Sequence, residues 1–231
     1  MNFIVDQSVF ELYPELRIGL VMARGVQNTY RDNSIAGLLR DAETGIRSGP
    51  YDFKTDPRVI AWMEAHKSFG SDPKRYAPSI YALIKRVAKG GELPSINPLV
   101  DLYNIVSLKY VVPIGGEDLD ACVGDIRLTR AAGSEQFIEL GKSEASPPET
   151  GEVVYRDDQG VLCRKFNWRE AERTKLTEKT TNAVIVIETL PPVSFEALRE
   201  TVEDLAQLIQ THCGGVVKHQ ILDNSTQQFS E

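Results

Sequence analysis

Between Asn97 and Asp120 the chain packs a capped helix, a row of uncharged polar side chains and a proline–glycine corner into 24 residues. Asn97 followed by Pro98 reads as an N-cap with proline at the first helical position. Leu99, Leu102 and Val106 fall on one face at helical spacing, while Asn97, Asp101, Asn104 and Ser107 recur every three or four residues on another. A mostly neutral polar row backed by an apolar one suits holding a hydrogen-bonding ligand. It equally describes an ordinary amphipathic helix. Either way the apolar face needs a partner, and the flanking sequence must provide it.

Upstream, Arg17–Ala23 reads as a buried first strand, and the spacing predicts a helix from about Ser34 to Thr44 with Gly45 as its stop. Ser48–Thr55 is a loop. Asp56–Pro57 caps a helix carrying Val59, Trp62 and Phe69, and Pro78–Ser79 opens another carrying Ile80, Ile84 and Val87, closed by Gly90–Gly91. From Tyr110 onward the texture changes to short apolar or alternating runs separated by Gly, Pro, Asp and Asn. These predict strands at Tyr110–Pro113, Asp125–Arg130, Gln136–Leu140, Glu152–Arg156 and Val161–Phe166, with Asp157–Gly160 as a hairpin loop. Ala183–Glu188 is a continuous apolar run ending in a carboxylate, as expected of a central strand emerging at a cleft. Ser194 caps a helix on which Phe195, Leu198, Val202, Leu205 and Ile209 step by three and four. Val216–Leu222 supplies a last strand, and residues 223–231 form a polar tail expected to fray. The expectation is one α+β domain, a mixed or antiparallel sheet core with flanking helices.

At 231 residues and 42% hydrophobic, the chain has enough apolar material for a proper core. No apolar run approaches 18 residues, so no membrane span is expected, and the N-terminus lacks a basic segment followed by an apolar one. Three widely spaced cysteines fit reduced thiols, which makes the cytoplasm the expected location. A net charge of −7 argues against a protein that coats nucleic acid, DNA included. Two basic stretches qualify this. Lys67–Lys89 holds six basic residues against one acid, and Arg164–Lys179 holds six against three. Each suits an RNA-contacting face and equally a solvated helix face.

Known catalytic signatures are missing. His212, Cys213 and His219 sit across a Gly–Gly break and match no metal-ligand spacing, so no metal or other cofactor is expected. There is no nucleophile elbow, P-loop or dinucleotide fingerprint. A polar pocket remains.

The spacing N-x-x-V-D-x-x-N over Asn97–Asn104, then eight residues and Pro113 before a small turn and an Asp-rich tail, resembles the B3/B4 domain of the phenylalanyl-tRNA synthetase beta subunit. In that synthetase the domain is the editing module, which hydrolyses wrongly charged aminoacyl-tRNA; free-standing copies also occur. The resemblance extends over roughly Asp56–Leu190. It implies a B3/B4-like core at about 56–222, preceded by a strand–helix extension over 1–55. It also implies tRNA, through its aminoacylated 3′ end, as the partner; oligomeric state is left open.

The resemblance assigns catalytic roles to Asn104, Glu188 and Gly115. Bacterial synthetases of this type generally carry histidine where Gly115 stands, so imidazole-based water positioning is missing from the expected mechanism. Thr177–Asn182 matches the family's lead-in to the strand whose glutamate, here Glu188, borders the editing pocket. Tyr103 and Pro113 are expected substrate contacts. Cys163–Arg169 departs most from the synthetase, which has a glycine-rich segment there, and looks more like free-standing B3/B4 proteins; Asn167, Trp168 and Arg169 are expected substrate contacts within it. Trp168 would stack on the terminal adenine or serve as core, and Arg169 would meet a phosphate or lie on the surface. From the basic stretches, Lys85, Arg86, Lys89 and Arg173 are the expected RNA contacts. The expected function is a trans-editing deacylase that uses a positioned water; the alternative is a tRNA- or amino-acid-binding module without hydrolysis.

Overall fold

The structure, a computed structural model, describes residues 1–48 and 51–230. The chain runs β1 (Asn2–Val5), α1 (Gln7–Leu12), β2 (Arg17–Arg24), α2 (Ser34–Arg47), α3 (Pro57–Ser68), α4 (Ser79–Ala88) and α5 (Pro98–Tyr110). It continues through β3 (Ile114–Asp118), β4 (Ile126–Arg130), β5 (Val153–Arg156), β6 (Val161–Arg164) and β7 (Arg169–Glu170). It ends with β8 (Asn182–Thr189), α6 (Phe195–Cys213), β9 (Val216–Leu222) and β10 (Gln228–Ser230). The strands form two sheets, ordered β10-β1-β4-β5-β6-β7 and β3-β8-β2-β9. All pairings are antiparallel except β1 with β4, so the fold is α+β with one mixed and one antiparallel sheet.

Strand β8 is buried along nearly its whole length and pairs with β2 on one side and β3 on the other, which explains its unbroken apolar sequence. α6 packs on β2 and β9, and α5 packs on α2, α6 and β3. Consequently α5 is enclosed nearly all round: Leu99, Leu102 and Val106 are fully buried, and so is Asp101. Its polar row is mostly used internally. Asn97 caps Val100 N–H, Asp101 accepts from Tyr30 Oη and Ile96 N–H, and Ser107 donates to the Val112 carbonyl. Of this row, only the half-buried Asn104 makes no side-chain hydrogen bond among the described residues.

Several expectations need correction. The chain's first strand is β1, not Arg17–Ala23; β1 is too short to stand out and is secured by distant partners in β4 and β10. α2 runs through Gly45 to Arg47. The proline–glycine corner is displaced: the turn is made by Val111, in the left-handed region at φ 57°, and both glycines lie within β3. Tyr110–Pro113 is therefore helix end and turn, not strand. Gln136–Leu140 forms isolated bridges only, Ile138 to Ala145 and Glu139 to Ala171. The tail does not fray over Gln228–Ser230, which pairs with β1. Positions 49 and 50 of the predicted Ser48–Thr55 loop, and position 231 of the tail, lie outside the described residues.

Asn97 ties these layers together. Its Oδ1 accepts from Val100 N–H and from Asn28 Nδ2, and its Nδ2 donates to the Leu176 carbonyl at 3.1 Å. Asn97→Ala removes the cap and strands buried polar partners, so it should cost about 3 kcal/mol of unfolding free energy in a urea titration. A loss below about 1 kcal/mol would show that these bonds are dispensable.

Candidate functional site

A cavity of ≈ 190 Å³ opens between the two sheets. Strand alternation builds its floor. Gly115 and Glu117 of β3, with Val184, Val186 and Glu188 of β8, alternate onto one sheet face, and all five line the cavity. The other sheet contributes Ile126, Tyr155, Cys163 and Glu170, while Tyr103 and Asn104 of α5 and Ser79 at the start of α4 close the sides. Burial gives the cavity a direction. Phe166 and Glu188 are almost inaccessible, whereas Arg169 and Leu140 are exposed and mark the mouth.

Glu188 anchors the deep end. Its Oε1 accepts from Tyr155 Oη at 2.6 Å and its Oε2 from Asn167 Nδ2 at 2.6 Å. Burial pushes its pKa up to about 7, against these two bonds, which pull it down. Behind Asn167, its Oδ1 lies 3.2 Å from His66 Nε2, and His66 Nδ1 lies 3.1 Å from the Tyr76 carbonyl. Burial lowers the His66 pKa to about 4, so the ring is neutral at pH 7. A neutral ring has one N–H to give, and the reversed Asn167 amide would pair with its second nitrogen when Glu188 carries a proton.

Asn167 reaches Glu188 because the preceding turn is forced. Lys165 and Phe166 adopt φ of 48° and 65°, unusual for residues with a side chain. Bonds from Lys165 N–H to Glu152 Oε1 and from Phe166 N–H to the Val153 carbonyl hold this shape. Glu152 is itself buried between Arg164 and Lys165. Burial pushes its carboxyl up, but the Arg164 bonds outweigh that and keep it ionised.

Two more carboxylates border the cavity. Glu170 Oε1 lies 3.4 Å from Gly116 N and only 3.1 Å from where a Cβ on Gly115 would stand. Gly116 is required differently: its Cβ would fall 2.5 Å from Ile185 Cδ1. Burial raises Glu170 to about 7, with the Gly116 N–H and Arg169 opposing. Burial, then the charge of Glu170, pushes Glu117 well above the carboxylate range. Among the described residues, no group of three or more His, Cys, Asp and Glu side chains is arranged to hold a metal ion. None of the described helices is long and apolar enough to cross a membrane.

A profile of the B3/4 domain family matches residues 61–214, the segment that supplies nearly all of this cavity. The chain belongs to that family. The phenylalanine–tRNA ligase beta subunit of Mycoplasmoides gallisepticum is 35% identical over 79 residues, 34% of this chain and 10% of that protein. That of Psychrobacter arcticus is 32% identical over 105 residues, 46% of this chain and 13% of the other. The chain thus spans only a small part of the length of these curated relatives. A crystal structure of an N-terminal fragment of the phenylalanyl-tRNA synthetase beta subunit from Pyrococcus horikoshii aligns with TM-score 0.47 and 14% identity, over 93% of this chain and 49% of that one.

Within this B3/4 domain, Asn104, Gly115 and Glu188 line one cavity, as do Tyr103, Asn167, Trp168 and Arg169. Pro113 does not; its carbonyl accepts from Glu188 N–H and so fixes the strand that carries the glutamate. Trp168 is half-buried, edge-on to Tyr76 with centroids 4.7 Å apart, and Arg169 pairs with Glu139 at 3.2 Å. Lys85, Arg86 and Lys89 lie exposed along α4 with Lys74 and Tyr81. Arg173 is apart from them, tied to Asp157 at 2.8 Å and to the Ala121 carbonyl. Sequence reasoning missed Glu117, Glu170, Tyr155 and the role of His66. Glu117 and Glu170 were readable in part, as carboxylates on the cavity face of a glycine strand and of a short basic run. His66 and Tyr155 needed the fold.

Glu188 and His66 affect stability in opposite senses. The folded state holds a proton on Glu188 that the unfolded chain releases between pH 4.5 and about 7, so that contribution falls as pH rises. His66, lowered to about 4, gives stability that rises with pH up to its unfolded value near 6.5. Glu188→Gln removes only the falling part. Its unfolding free energy relative to the parent should therefore rise by roughly 2 kcal/mol between pH 5 and 7.5. Tryptophan-monitored urea titrations across that range check this, and a pH-independent difference contradicts the assignment.

Proposed function

We propose that this B3/4 domain hydrolyses the ester of mischarged aminoacyl-tRNA, acting in the cytoplasm where that substrate occurs. The observation that carries the reading is the convergence of Asn104, Gly115 and Glu188, distant in sequence, on one half-enclosed cavity. Its volume suits a single amino-acid residue rather than a nucleotide. Family membership, with phenylalanine–tRNA ligase beta subunits among the relatives, supports the same substrate class.

Charge separates the two halves of such a substrate. A cavity bordered by three carboxyl groups and no basic side chain but the ion-paired Arg169 offers phosphate little and can ionise to meet the ammonium of an aminoacyl group. Basic side chains lie instead along α4, whose first residue, Ser79, lines the cavity. Lys85 and Lys89 stand about 9 and 15 Å farther along that helix axis, at a reach suited to the RNA backbone behind the 3′ end.

An aminoacyl ester is labile, so a strong nucleophile is not required. The half-buried Asn104 amide can donate to the ester carbonyl or hold the attacking water, while Gly115 leaves space above β3. Water adds to the carbonyl carbon, the bond to the ribose oxygen breaks, and free amino acid and tRNA result. Glu188 lies too deep to meet the ester; with Tyr155 and Asn167 it faces the amino-acid side chain and sets which one fits.

Incubation with a panel of mischarged tRNAs tests this. One or more esters should lose label faster than in buffer, and Asn104→Ala should slow that loss by about 100-fold while leaving tRNA affinity intact. Replacing Lys85, Arg86 and Lys89 together should weaken tRNA binding and lower its salt slope by about 2. Binding with unchanged ester half-life across the panel means a module without hydrolysis, and salt-insensitive or absent tRNA binding removes RNA from the account.

A further inference from the structure

The cavity holds more carboxyl groups than recognition of one side chain requires. Glu117 is 6% exposed and lines the cavity, yet its Oε2 makes no well-formed hydrogen bond; the buried Thr174 hydroxyl lies beside it and is not well paired either. Glu170 approaches from the opposite sheet over the Gly115–Gly116 backbone. The cations nearby are engaged elsewhere: Arg173 with Asp157, and Arg169 with Glu139. Tyr103, Cys163 and Cys122 nearby are uncharged at neutral pH, their ionisation pushed up by burial and then by these same glutamates. A buried carboxylate with an open lone pair facing a hollow is unfavourable until something else fills that place.

We propose that the Glu117–Glu170 pair is the seat of a primary ammonium group, the free α-amino group of the bound aminoacyl ester. This assignment rests on the ester reading above and follows from depth. Glu188 is 3% exposed and lies at the closed end, whereas Glu170 is half-buried beside the exposed Arg169 and Leu140. An amino acid tethered to a large RNA must keep its ester near the mouth. Its α-amino group, one bond from the carbon that bears the carbonyl, then falls beside Glu170, with the more buried Glu117 as its second partner, while the side chain points inward to Glu188. A bound ammonium balances the one carboxylate that ionises as it binds and donates up to three hydrogen bonds; an N-acylated amine does neither. Formylated and peptidyl esters are thereby refused.

Binding, separated from hydrolysis, tests the seat. The probes are the 3′-amides of 3′-amino-3′-deoxyadenosine with tyrosine, leucine and alanine, each with a free or an acetylated α-amine, titrated by calorimetry. The best free-amine probe should bind at least about tenfold tighter than its acetylated twin, and Glu117→Gln/Glu170→Gln should bring the two within about twofold. Binding at pH 6 should release about one proton, read from enthalpies in buffers of different ionisation heat, and the double variant should release markedly less. Circular dichroism melting confirms folding, with Glu170→Gln alone as the milder substitute. Equal affinity for free and acetylated probes, an unaltered preference in the variants, or no binding by any free-amine probe overturns the seat. The failures separate: a retained amine preference with intact esters removes only the hydrolase reading, while cleavage without amine preference removes only the seat.

Discussion

Three glutamates bordering an apolar hollow, none of them in a salt bridge among the described residues, are the constraint around which this fold is organised. Each isolated buried carboxylate would cost several kcal/mol if left ionised and unsolvated. Glu188 is accommodated by Tyr155 from one sheet and Asn167 from a turn. The turn reaches it because Lys165 and Phe166 accept positive φ, and they do so because Glu152, Arg164 and Lys165 form a satisfied buried ionic cluster next to it. Stability in one place thus supports an unfavourable arrangement in another, the distribution expected where a site needs charge in a dry environment.

The two sheets divide the work. β8, paired on both sides, is a rigid floor whose alternation presents Val184, Val186 and Glu188 to the cavity and Ala183, Ile185 and Ile187 to the opposite face. β5, β6 and β7 are short and irregular, with a register shift at Tyr155–Arg156, and they bring Tyr155, Cys163 and Glu170 over that floor. A long strand fixes positions and the short ones adjust shape.

Legibility in the sequence followed the range of the interactions. Asp56–Pro57, Asn97–Pro98 and Ser194 marked helix starts correctly because capping is settled within three residues. Ala183–Glu188 was visible as a strand because burial on both faces leaves an unbroken apolar run. β1 and β10 were not, since their order comes from each other across more than 220 residues. The resemblance pointed to Asn104 and Glu188, which line one cavity, but nothing in the sequence revealed that Asn167 bonds Glu188 and lies against His66, because that depends on a strained turn no local pattern announces. The polar row of α5 misled in the opposite way: it reads as a binding face, and tertiary packing uses most of it internally.

Gly115 gains its meaning from the same packing. The resemblance pointed to a histidine at this position, and glycine there looked like the loss of a catalytic group. A Cβ at 115 would stand 3.1 Å from Glu170 Oε1, so a side chain as large as imidazole and the Glu170 carboxylate compete for one volume. Glycine on β3 and glutamate on β7 are therefore two halves of one feature, in which a carboxylate from the facing sheet takes the space that a ring would fill. The chemistry there changes accordingly, from a neutral ring that donates or accepts a proton near pH 6.5 to a pair of carboxyls, held protonated by burial, that ionises to meet a cation.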